Sequence, residues 1–461
     1  MLTNEKLTKD LLKSLPKNQV LTGIEERYAY SQDALNVKNI ETLADAVVFV
    51  ENVEQIQAVV KIANRYNTPV ICRGAGTNVV GACIPKKNGI ILNFSRMNKI
   101  LEINPANLTA RVQAGVVVGD LQREVEKFGL YYPPDPSNLT VSTIGGSIAQ
   151  ASAGAKAFKY GSTKEYVLDL LVVTANGEIL KTGSSTIKNA TGYNLNALFV
   201  GSEGTLGIVA EATLKLIPKP VTKVVLMSYF DSVENSIHAV TSIIEHGITP
   251  ATIDFMDKNA IQTVEDFIHA GLLTDKECAL VIEVDGLACA VDYQRTMIEK
   301  ILHNFGAAEI QSSKTQEEYD RIWKARRSSM AACTRIKPNI TTDDLIVPRN
   351  NLSQLVLGVR EICVKYGLTV CMVGHVGDGS VHPQIPIDYA DTEEYARFKK
   401  AKSEIYKLTA ELGGLISGEH GIGMLKREAI GLVINETALE YMRKIKKTLD
   451  PNNILNPYKI F

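Results

Sequence analysis

Three of the seven histidines in this 461-residue chain lie in two short motifs framed by glycines. The first motif is GHVGDGSVH, residues 374–382, and the second is GEHG, residues 418–421. Asp378-Gly379 is a strong signal for a two-residue hairpin turn, and that turn would place His375 directly opposite His382. Opposed side chains of a hairpin share one face of the ribbon. The spacing therefore predicts two imidazoles that converge.

The second motif adds a carboxylate and a third imidazole. Glu419 and His420 are neighbours between glycines and can point in different directions. Two neutral imidazoles and one carboxylate form a ligand set for a divalent cation, and His420 then remains as a base. Zinc, ferrous iron and manganese all accept such a set, so the identity of the metal stays open. The four histidines outside the two motifs are interpreted as ordinary core or surface residues.

Three glycine-rich segments in the first half of the chain form a second group of interest. They are RGAGTN at 73–78, IGGSIAQASAG at 144–154 and VGSEGTLGI at 200–208. Glycine lets the backbone approach a ligand closely, and successive N–H groups in a turn bind phosphate oxygens. None of the three is the G-x-G-x-x-G of a βαβ unit, and a single loop of this kind serves a turn equally often. Three loops in one domain predict a dinucleotide site.

Alternating strands, turns and short helices surround the glycine loops. The apolar periodicity predicts helices at residues 53–66 and 118–128. Predicted strands lie at 46–50, 69–72, 89–94, 108–114, 166–174 and 208–217. Pro218 and Pro220 mark the clearest boundary along the chain, because beyond them the helices are longer and the glycines fewer.

The second half of the chain predicts a domain built on an antiparallel sheet covered by helices. Its predicted strands lie at 224–230, 279–284 and 368–373, and its predicted helices at 233–246, 291–305, 317–334 and 393–412. We therefore expect an α+β protein, with two domains because 461 residues exceed a single core. The expected divisions are an N-terminal helical extension (1–40), a first domain (41–219), a second domain (220–425) and a C-terminal segment that returns to the first domain (426–461).

Composition excludes several classes of protein. The net charge is -1 with dispersed Lys and Arg, so the chain has no electrostatic footprint for nucleic acid or an anionic membrane. Seven cysteines without a C-x-x-C pair argue against a disulfide framework, an iron-sulfur cluster and a zinc cluster. No stretch is of signal-peptide type or of membrane-spanning length. We expect a cytoplasmic protein.

The order of the motifs resembles the FAD-linked oxidases of the vanillyl-alcohol-oxidase superfamily, especially the glycolate oxidase and D-lactate dehydrogenase branch. The resemblance spans residues 45–461 and is carried by the segments PVICRGAGTNVVGA, PPDPSNLTVSTIGGSIAQASAGAKAFKYGSTKEYVLDLLVVTANGE, NATGYNLNALFVGSEGTLGIVAEATLKL, GHVGDGSVHPQI, ISGEHGIG and LDPNNILNPYKIF. It implies a p-cresol-methylhydroxylase-type (PCMH-type) FAD-binding domain of two subdomains at 41–219. The second domain would be a cap that carries the substrate and metal site.

The resemblance also implies which residues bind FAD. The pyrophosphate would lie in the first loop, formed by Arg73, Gly74, Ala75, Gly76, Thr77 and Asn78. Further cofactor-binding positions would be Pro134, Asp135, Thr143, Gly146, Ser147, Gly154, Tyr160, Glu203, Gly204, Ile208 and Val209. A histidine of the first loop can bond covalently to the flavin in that family. Because Thr77 and Asn78 stand there in this chain, we expect non-covalent FAD.

The same resemblance assigns roles in the second domain. Residues equivalent to His375, His382 and Glu419 ligate one divalent metal, and the equivalent of His420 accepts a proton. Arg326, in WKARRSSM, would clamp a substrate carboxylate, although an Arg pair on a polar helix is by itself more typical of a solvated face. Longer-chain dicarboxylate relatives carry Thr and Lys where this chain has Met330 and Thr342. That difference favours a short monocarboxylate.

The implied activity is oxidation of a small 2-hydroxy acid, most simply D-lactate or glycolate, by hydride transfer to flavin N5. No iron-sulfur motif or membrane anchor is visible, so we expect a protein electron acceptor such as an electron-transferring flavoprotein. A homodimer is left open. Two alternatives remain: a non-catalytic flavoprotein subunit of a larger oxidase complex, and a metallohydrolase whose glycine loops are structural.

Overall fold

The computed structural model describes residues 5–34 and 42–461, so parts of the expected N-terminal extension and residue 41 lie outside the described residues. The chain forms two compact units. The first unit comprises Met1–Ala153, Ser162–Lys219 and Glu419–Phe461, and the second comprises Gly154–Gly161 and Pro220–Gly418. The C-terminal segment is thus part of the first unit, whereas a short piece of the N-terminal half is part of the second.

A four-stranded sheet forms one half of the first unit. Its spatial order is Val20–Leu21, Ala46–Phe49, Ile90–Asn93 and Val70–Arg73. The last three strands are parallel, and their continuous apolar runs are buried, as parallel strands require. Helix Val53–Tyr66 packs on this sheet with the bounds that the sequence predicts. It is fixed locally, because the Asn52 side chain accepts the Gln55 N–H and Asn67 ends the helix in the left-handed region.

The other half of the first unit is a five-stranded antiparallel sheet. Its spatial order is Ile100–Asn104, Thr109–Gln113, Ile208–Lys215, Val167–Val173 and Ile179–Lys181. Helices Val118–Glu126 and Ile144–Gln150 contribute to the same apolar core as this sheet. Strands Leu130–Tyr131 and Ile217–Pro218 form a separate two-stranded sheet. The remaining helices of the unit are Glu5–Ser14, Ile24–Tyr30, Asn196–Phe199 and Glu436–Leu449, and Lys17–Gln19, Thr163–Glu165 and Arg427–Leu432 are 3-10 helices.

The C-terminal segment packs into the four-stranded sheet. Leu455 forms a parallel bridge with Val70, and the buried Asn456 side chain donates to the carbonyls of Ala82 and Glu203. The Lys459 ammonium is also buried and donates to the carbonyl of Ile84. The turn residues of LDPNNILNPYKIF therefore hold an ordered part of the first unit.

The second unit is an eight-stranded antiparallel sheet. Its spatial order is Glu309–Ser312, Thr222–Phe230, Cys278–Gly286, Thr252–Asp257, Cys371–His375, Ser380–Ile387 and Asn339–Thr342, and Leu345–Ile346 also pairs with Ser380–Ile387. The helices of this unit are Ala157–Tyr160, Val233–Glu245, Lys258–Ile268, Ala288–Asn304, Gln316–Arg327, Ser329–Cys333, Leu352–Lys365 and Thr392–Glu411, and Arg349–Asn351 is a 3-10 helix. The predicted α+β class and the helix-covered antiparallel sheet are confirmed. Over residues 5–34 and 42–461, no helix is both long and apolar enough to cross a bilayer.

Two features of the second unit differ from the sequence prediction. The predicted helix at 317–334 is interrupted at Ser328, which ends Gln316–Arg327 and precedes Ser329–Cys333. Strand Thr252–Asp257 was not predicted, although it lies in the middle of the sheet and all six of its residues are buried. Its two aspartates are unfavourable in a strand by propensity, and burial on both faces removes the alternating pattern that identifies a strand.

The second of these aspartates, Asp257, should make the stability of the protein depend on pH. Its Oδ1 accepts the N–H groups of Ala260 and Met372, at 2.9 and 3.0 Å. Burial raises its pKa from 3.8 to about 6. The unfolded carboxyl therefore loses its proton at a lower pH than the folded one, and stability falls as the pH rises between those values. The full loss is on the order of 3 kcal/mol.

Asp257→Asn should remove this loss, because an amide oxygen can accept the same two N–H groups. We expect the melting temperature of the variant to rise relative to the unsubstituted protein as the pH increases from about 4 to about 6. Asp391→Asn is the matched control at an exposed helix start. There, backbone hydrogen bonds lower the pKa of Asp391, so its carboxylate stabilises the folded protein at pH values above the ordinary pKa. The melting temperature of Asp391→Asn should therefore fall relative to the unsubstituted protein as the pH rises. Calorimetry that shows parallel pH curves for both variants would contradict the prediction.

Candidate functional site

The histidine motif GHVGDGSVH forms a hairpin whose register differs from the predicted one. Strands Cys371–His375 and Ser380–Ile387 pair so that His382 lies opposite Val373, not opposite His375. The predicted two-residue turn is therefore wrong, and residues 376–379 form a four-residue turn. A type I′ turn needs positive φ at both central residues, and only Gly379 of the pair has it, at +92°.

The longer turn has a local cause. The Asp378 carboxylate accepts the N–H and the hydroxyl of Ser380, at 3.2 and 2.9 Å, which closes an Asx-type turn. The register is shifted by two residues, and side chains alternate between faces with a period of two. His375 and His382 consequently remain on one face, as diagonal neighbours.

The two imidazoles lie close together and are buried. Their ring centroids are 5.1 Å apart, with the planes at 76°. His375 Nδ1 is 2.7 Å from Oδ1 of Asp254, a buried carboxylate on the adjacent strand. We assign the proton to Nδ1 from this contact, so a metal-ligating role would fall to Nε2. A carboxylate behind an imidazole is the usual arrangement of a metal-ligating histidine, so this donor set fits a divalent metal.

Arg326 contacts the same carboxylate. Its Nε lies 2.7 Å from Oδ2 of Asp254, and the residue is only 8% exposed. Burial by itself raises the pKa of Asp254, but Arg326 and His375 outweigh it and hold that pKa below its ordinary value. Arg326 does not lie on a solvated helix face, whereas its neighbour Arg327 is exposed and stacks over the Trp323 ring.

Helix Gln316–Arg327, which carries Arg326, is fixed to the sheet by a fully buried glutamate. Glu283 accepts the Tyr319 hydroxyl at 2.6 Å and the Trp323 indole N–H at 2.8 Å. The Lys156 ammonium lies 3.5 Å from the same carboxylate. Tyr319 and Trp323 therefore attach one turn of the helix to Glu283. This attachment sets the position of Arg326, which follows Trp323 by three residues.

A second buried carboxylate, Asp344, lies behind His382. The distance from its Oδ1 to His382 Nδ1 is 3.7 Å. Its Oδ2 accepts the Ser417 hydroxyl at 3.0 Å and the Gly418 N–H at 2.8 Å. Gly418 is the last residue of the second unit and directly precedes Glu419. Asp344 therefore fixes the backbone immediately before the Glu419 carboxylate.

Glu419 and His420 belong to the first unit. Glu419 Oε2 accepts the N–H of Ala153 at 3.1 Å, and the His420 carbonyl accepts the side-chain amide of Asn78 at 3.4 Å. His420 Nε2 is 4.0 Å from Glu419 Oε1. The structure thus brings His375, His382 and Arg326 together around Asp254 in the second unit.

The first glycine loop follows strand Val70–Arg73. The backbone N–H groups of residues 74–79 donate to no acceptor among the residues that the structure describes. Gly76 adopts φ +75°, a conformation that an L side chain rarely takes. A run of unengaged amides in a turn is an anion-binding concavity, and it fits the pyrophosphate of a dinucleotide.

The second glycine loop contains polar groups aimed at no described partner. Thr143 begins helix Ile144–Gln150, and its hydroxyl accepts the Gly146 N–H. The Ser147 hydroxyl and the Gln150 side-chain oxygen are buried without a hydrogen bond to any described residue. Buried polar groups are normally satisfied, so both fit a polar ligand. Pro134 lies before this loop, and its carbonyl accepts the Gln122 side chain.

The third glycine loop supports the GEHG motif from behind. Its Glu203 adopts φ +53°, and the carboxylate accepts the N–H groups of Ile422 and Gly423 at 2.7 and 2.9 Å. Burial raises the pKa of Glu203 to about 7. Gly204 follows with φ +70°, and Ile208 and Val209 open strand Ile208–Lys215.

Two of the expected cofactor positions, Gly154 and Tyr160, belong to the second unit. The Tyr160 hydroxyl lies 2.9 Å from both carboxylate oxygens of Asp285, and the Lys159 ammonium donates to the Asp285 carbonyl at 2.8 Å. Asp135 lies in the extended stretch after strand Leu130–Tyr131.

Sequence reasoning missed Asp254, Asp344 and Glu283. Asp254 and Glu283 lie inside the largely apolar segments TIDFMD and ALVIEV, and Asp344 directly precedes the apolar residues of DDLIV. Charged residues are almost never fully buried unless they are paired. That combination is a usable signal, although it does not reveal the partner.

Models of known families match most of the chain. The model of an FAD binding domain matches residues 44–183, and the model of the C-terminal domain of FAD linked oxidases matches residues 219–460. Glycolate oxidase subunit GlcD of Bacillus subtilis is 41% identical over 94% of this chain and 92% of its own length. A D-lactate dehydrogenase of Archaeoglobus fulgidus is 35% identical over 90% of each chain.

The fold has counterparts among solved structures. p-Cresol methylhydroxylase with bound substrate superposes with a TM-score of 0.85, at 18% identity, over 99% of this chain and 96% of that one. The predicted PCMH-type architecture is confirmed by this likeness.

Proposed function

The chain belongs to the FAD-linked oxidases, and from that premise we propose that it dehydrogenates a short 2-hydroxy acid, D-lactate or glycolate. The observation that carries the proposal is the buried cluster of His375, His382 and Arg326 around Asp254. Metal ligands beside a guanidinium suit a substrate that has a hydroxyl next to a carboxylate. The Bacillus and Archaeoglobus relatives, named for glycolate and D-lactate, support that substrate class.

The proposed FAD site uses the glycine loops of the first unit. The amides of residues 74–79, which meet no acceptor in the described part of the chain, would bind the pyrophosphate. The buried Ser147 hydroxyl would serve a polar group of the cofactor. The absence of a histidine at Thr77 and Asn78 supports non-covalent binding. When bound, the flavin supplies a hydride acceptor at N5.

The proposed metal ligands are His375, His382 and Glu419. Asp344 supports this set, because it lies behind His382 and holds the N–H of the residue before Glu419. When bound, a divalent cation supplies a Lewis acid for the 2-hydroxyl. Zinc, ferrous iron and manganese all suit two imidazoles and a carboxylate.

The remaining steps fall to two side chains. Arg326 binds the substrate carboxylate through its guanidinium, which orients the C2 hydrogen. His420 takes the hydroxyl proton at a ring nitrogen, as a general base within a positioned site. The resemblance implies Thr and Lys at the positions of Met330 and Thr342 in dicarboxylate relatives, and their replacement here supports a short monocarboxylate.

We also propose that the electrons leave to a protein acceptor, such as an electron-transferring flavoprotein or a redox subunit. The Bacillus relative is described as a subunit, which supports a complex. A cytoplasmic location suits the seven cysteines, all of which are free thiols.

Stopped-flow flavin reduction tests the proposal. The purified protein should be yellow and should bleach anaerobically with D-lactate or glycolate faster than with L-lactate or D-2-hydroxyglutarate. Treatment with a chelator should slow the bleaching, and separate additions of Zn²⁺, Mn²⁺ and Fe²⁺ should identify the metal by recovery. A yellow protein that no 2-hydroxy acid reduces would indicate a non-catalytic subunit. A colourless protein that hydrolyses esters would indicate a metallohydrolase.

A further inference from the structure

Asp254 contacts both halves of the proposed substrate site with different oxygens. Oδ1 lies 2.7 Å from Nδ1 of His375, and Oδ2 lies 2.7 Å from Nε of Arg326. All three side chains are less than a tenth exposed, and that of Asp254 is 1% exposed. A single carboxylate therefore serves a metal-ligating candidate and a substrate-binding candidate.

The sheet explains why these groups meet. Strand Thr252–Asp257 pairs antiparallel with Cys371–His375, and Asp254 is the direct register partner of His375. Directly opposed residues place their side chains on the same face, with Cβ atoms about 4.5–5.5 Å apart. Arg326 reaches that face from helix Gln316–Arg327, which Glu283 holds through Tyr319 and Trp323.

The contact involves a defined nitrogen of each partner. The Asp254 contact engages Nδ1 of His375, so Nε2 is the nitrogen that can ligate a metal. Nε of Arg326 lies 2.7 Å from Oδ2 of Asp254 as an ion pair without hydrogen-bond geometry. The two terminal nitrogens of that guanidinium donate to no acceptor among residues 5–34 and 42–461. Those terminal nitrogens are a fork that matches a carboxylate.

We infer that Asp254 is a positioning residue that sets both the affinity of the metal site and the affinity for the substrate carboxylate. This inference rests on the proposed function, since it assigns the metal to His375 and the carboxylate to Arg326. A purely structural ion pair between Asp254 and Arg326 would affect stability and leave the two affinities unchanged.

Asp254→Asn tests the inference, with Asp257→Asn as the matched control. Both aspartates are buried on one strand, but Asp257 holds only backbone N–H groups in the described structure. Zn²⁺ affinity of the metal-free protein is measured by competition with a chromophoric chelator. Binding of propionate, a carboxylate without the hydroxyl, is measured as a competitive inhibition constant with D-lactate on the metal-loaded enzyme.

We expect Asp254→Asn to weaken Zn²⁺ binding about 10–100-fold, the usual effect of losing the group behind a ligating histidine. Propionate binding should weaken about 10-fold or more in the same variant, because the guanidinium loses the contact that orients its terminal nitrogens. Asp257→Asn should leave both affinities within about 2-fold of the unsubstituted protein, as a change outside the site does.

Asp254→Asn alone leaves the buried Arg326 charge without its partner, and this variant could fail to fold. Arg326→Gln and the double variant Asp254→Asn/Arg326→Gln keep the test valid in that case, because the double variant lacks both charges of the pair. Zn²⁺ affinity should be near normal in Arg326→Gln and about 10–100-fold lower in the double variant. Loss of one affinity alone, or of neither, in a folded Asp254→Asn protein overturns the inference while leaving the proposed function intact. An unsubstituted protein that binds neither probe overturns both.

Discussion

Replacing His420 by asparagine should lower the rate of flavin reduction about 10²–10⁴-fold, the range that a positioned general base contributes. Asparagine retains a polar side chain of smaller size, and the Asn78 contact to residue 420 uses the backbone carbonyl. FAD content and the melting temperature should therefore change little. The measurement is anaerobic stopped-flow absorbance with saturating D-lactate.

His246→Asn is the control for this experiment. His246 is an exposed residue at the end of helix Val233–Glu245, and its ring bonds the Ser242 carbonyl of the same helix. Its variant should reduce flavin at the unsubstituted rate. Reduction by the His420 variant within about 10-fold of that rate, at full FAD occupancy, would show that another group takes the proton.

The second large effect is expected at Arg326. Lysine keeps the positive charge beside Asp254 but replaces the planar fork with a point charge, and it cannot pair a carboxylate in a bidentate manner. The value of kcat/KM for D-lactate should fall about 10²-fold, mostly through a higher KM, as expected for loss of a charge-assisted hydrogen bond worth about 1.5–3 kcal/mol. Steady-state kinetics with an artificial electron acceptor measure both constants.

Arg327→Lys provides the comparison within the same helix. Arg327 is exposed and stacks on Trp323, and a surface substitution of this kind costs about 0.5 kcal/mol or less. Its kcat/KM should stay within about 2-fold of the unsubstituted enzyme. Equal losses in the two variants would place the substrate carboxylate away from Arg326.

Local signals explain which elements the sequence predicts well. Helix Val53–Tyr66 matches the prediction at both ends because Asn52 and Asn67 cap it within the segment itself. The hairpin shows the limit of such signals. Asp378-Gly379 marks the turn correctly, but the Asx contacts to Ser380 lengthen it to four residues. The convergence of the histidines was still predictable, because a two-residue shift preserves the face.

The role of Asp254 was not predictable, because it depends on pairing between distant parts of the chain. Asp254 and His375 are 121 residues apart in sequence, and only the order of strands in the sheet makes them partners. The burial of Arg326 also depends on a distant part of the chain. The sequence QEEYDRIWKARR predicts a polar helix, and it is Glu283, from another strand, that draws its Tyr319 and Trp323 face inward.

The path of the chain through residues Gly154–Gly161 limits how this enzyme can be recombined with its relatives. This octapeptide precedes most of the first unit's five-stranded sheet in sequence, yet its Lys156, Lys159 and Tyr160 contact Glu283 and Asp285 of the second unit. A chimera that swaps only residues 220–418 would separate three matched side chains from their carboxylates. Replacing the second unit by that of a relative therefore requires the octapeptide to be exchanged together with residues 220–418.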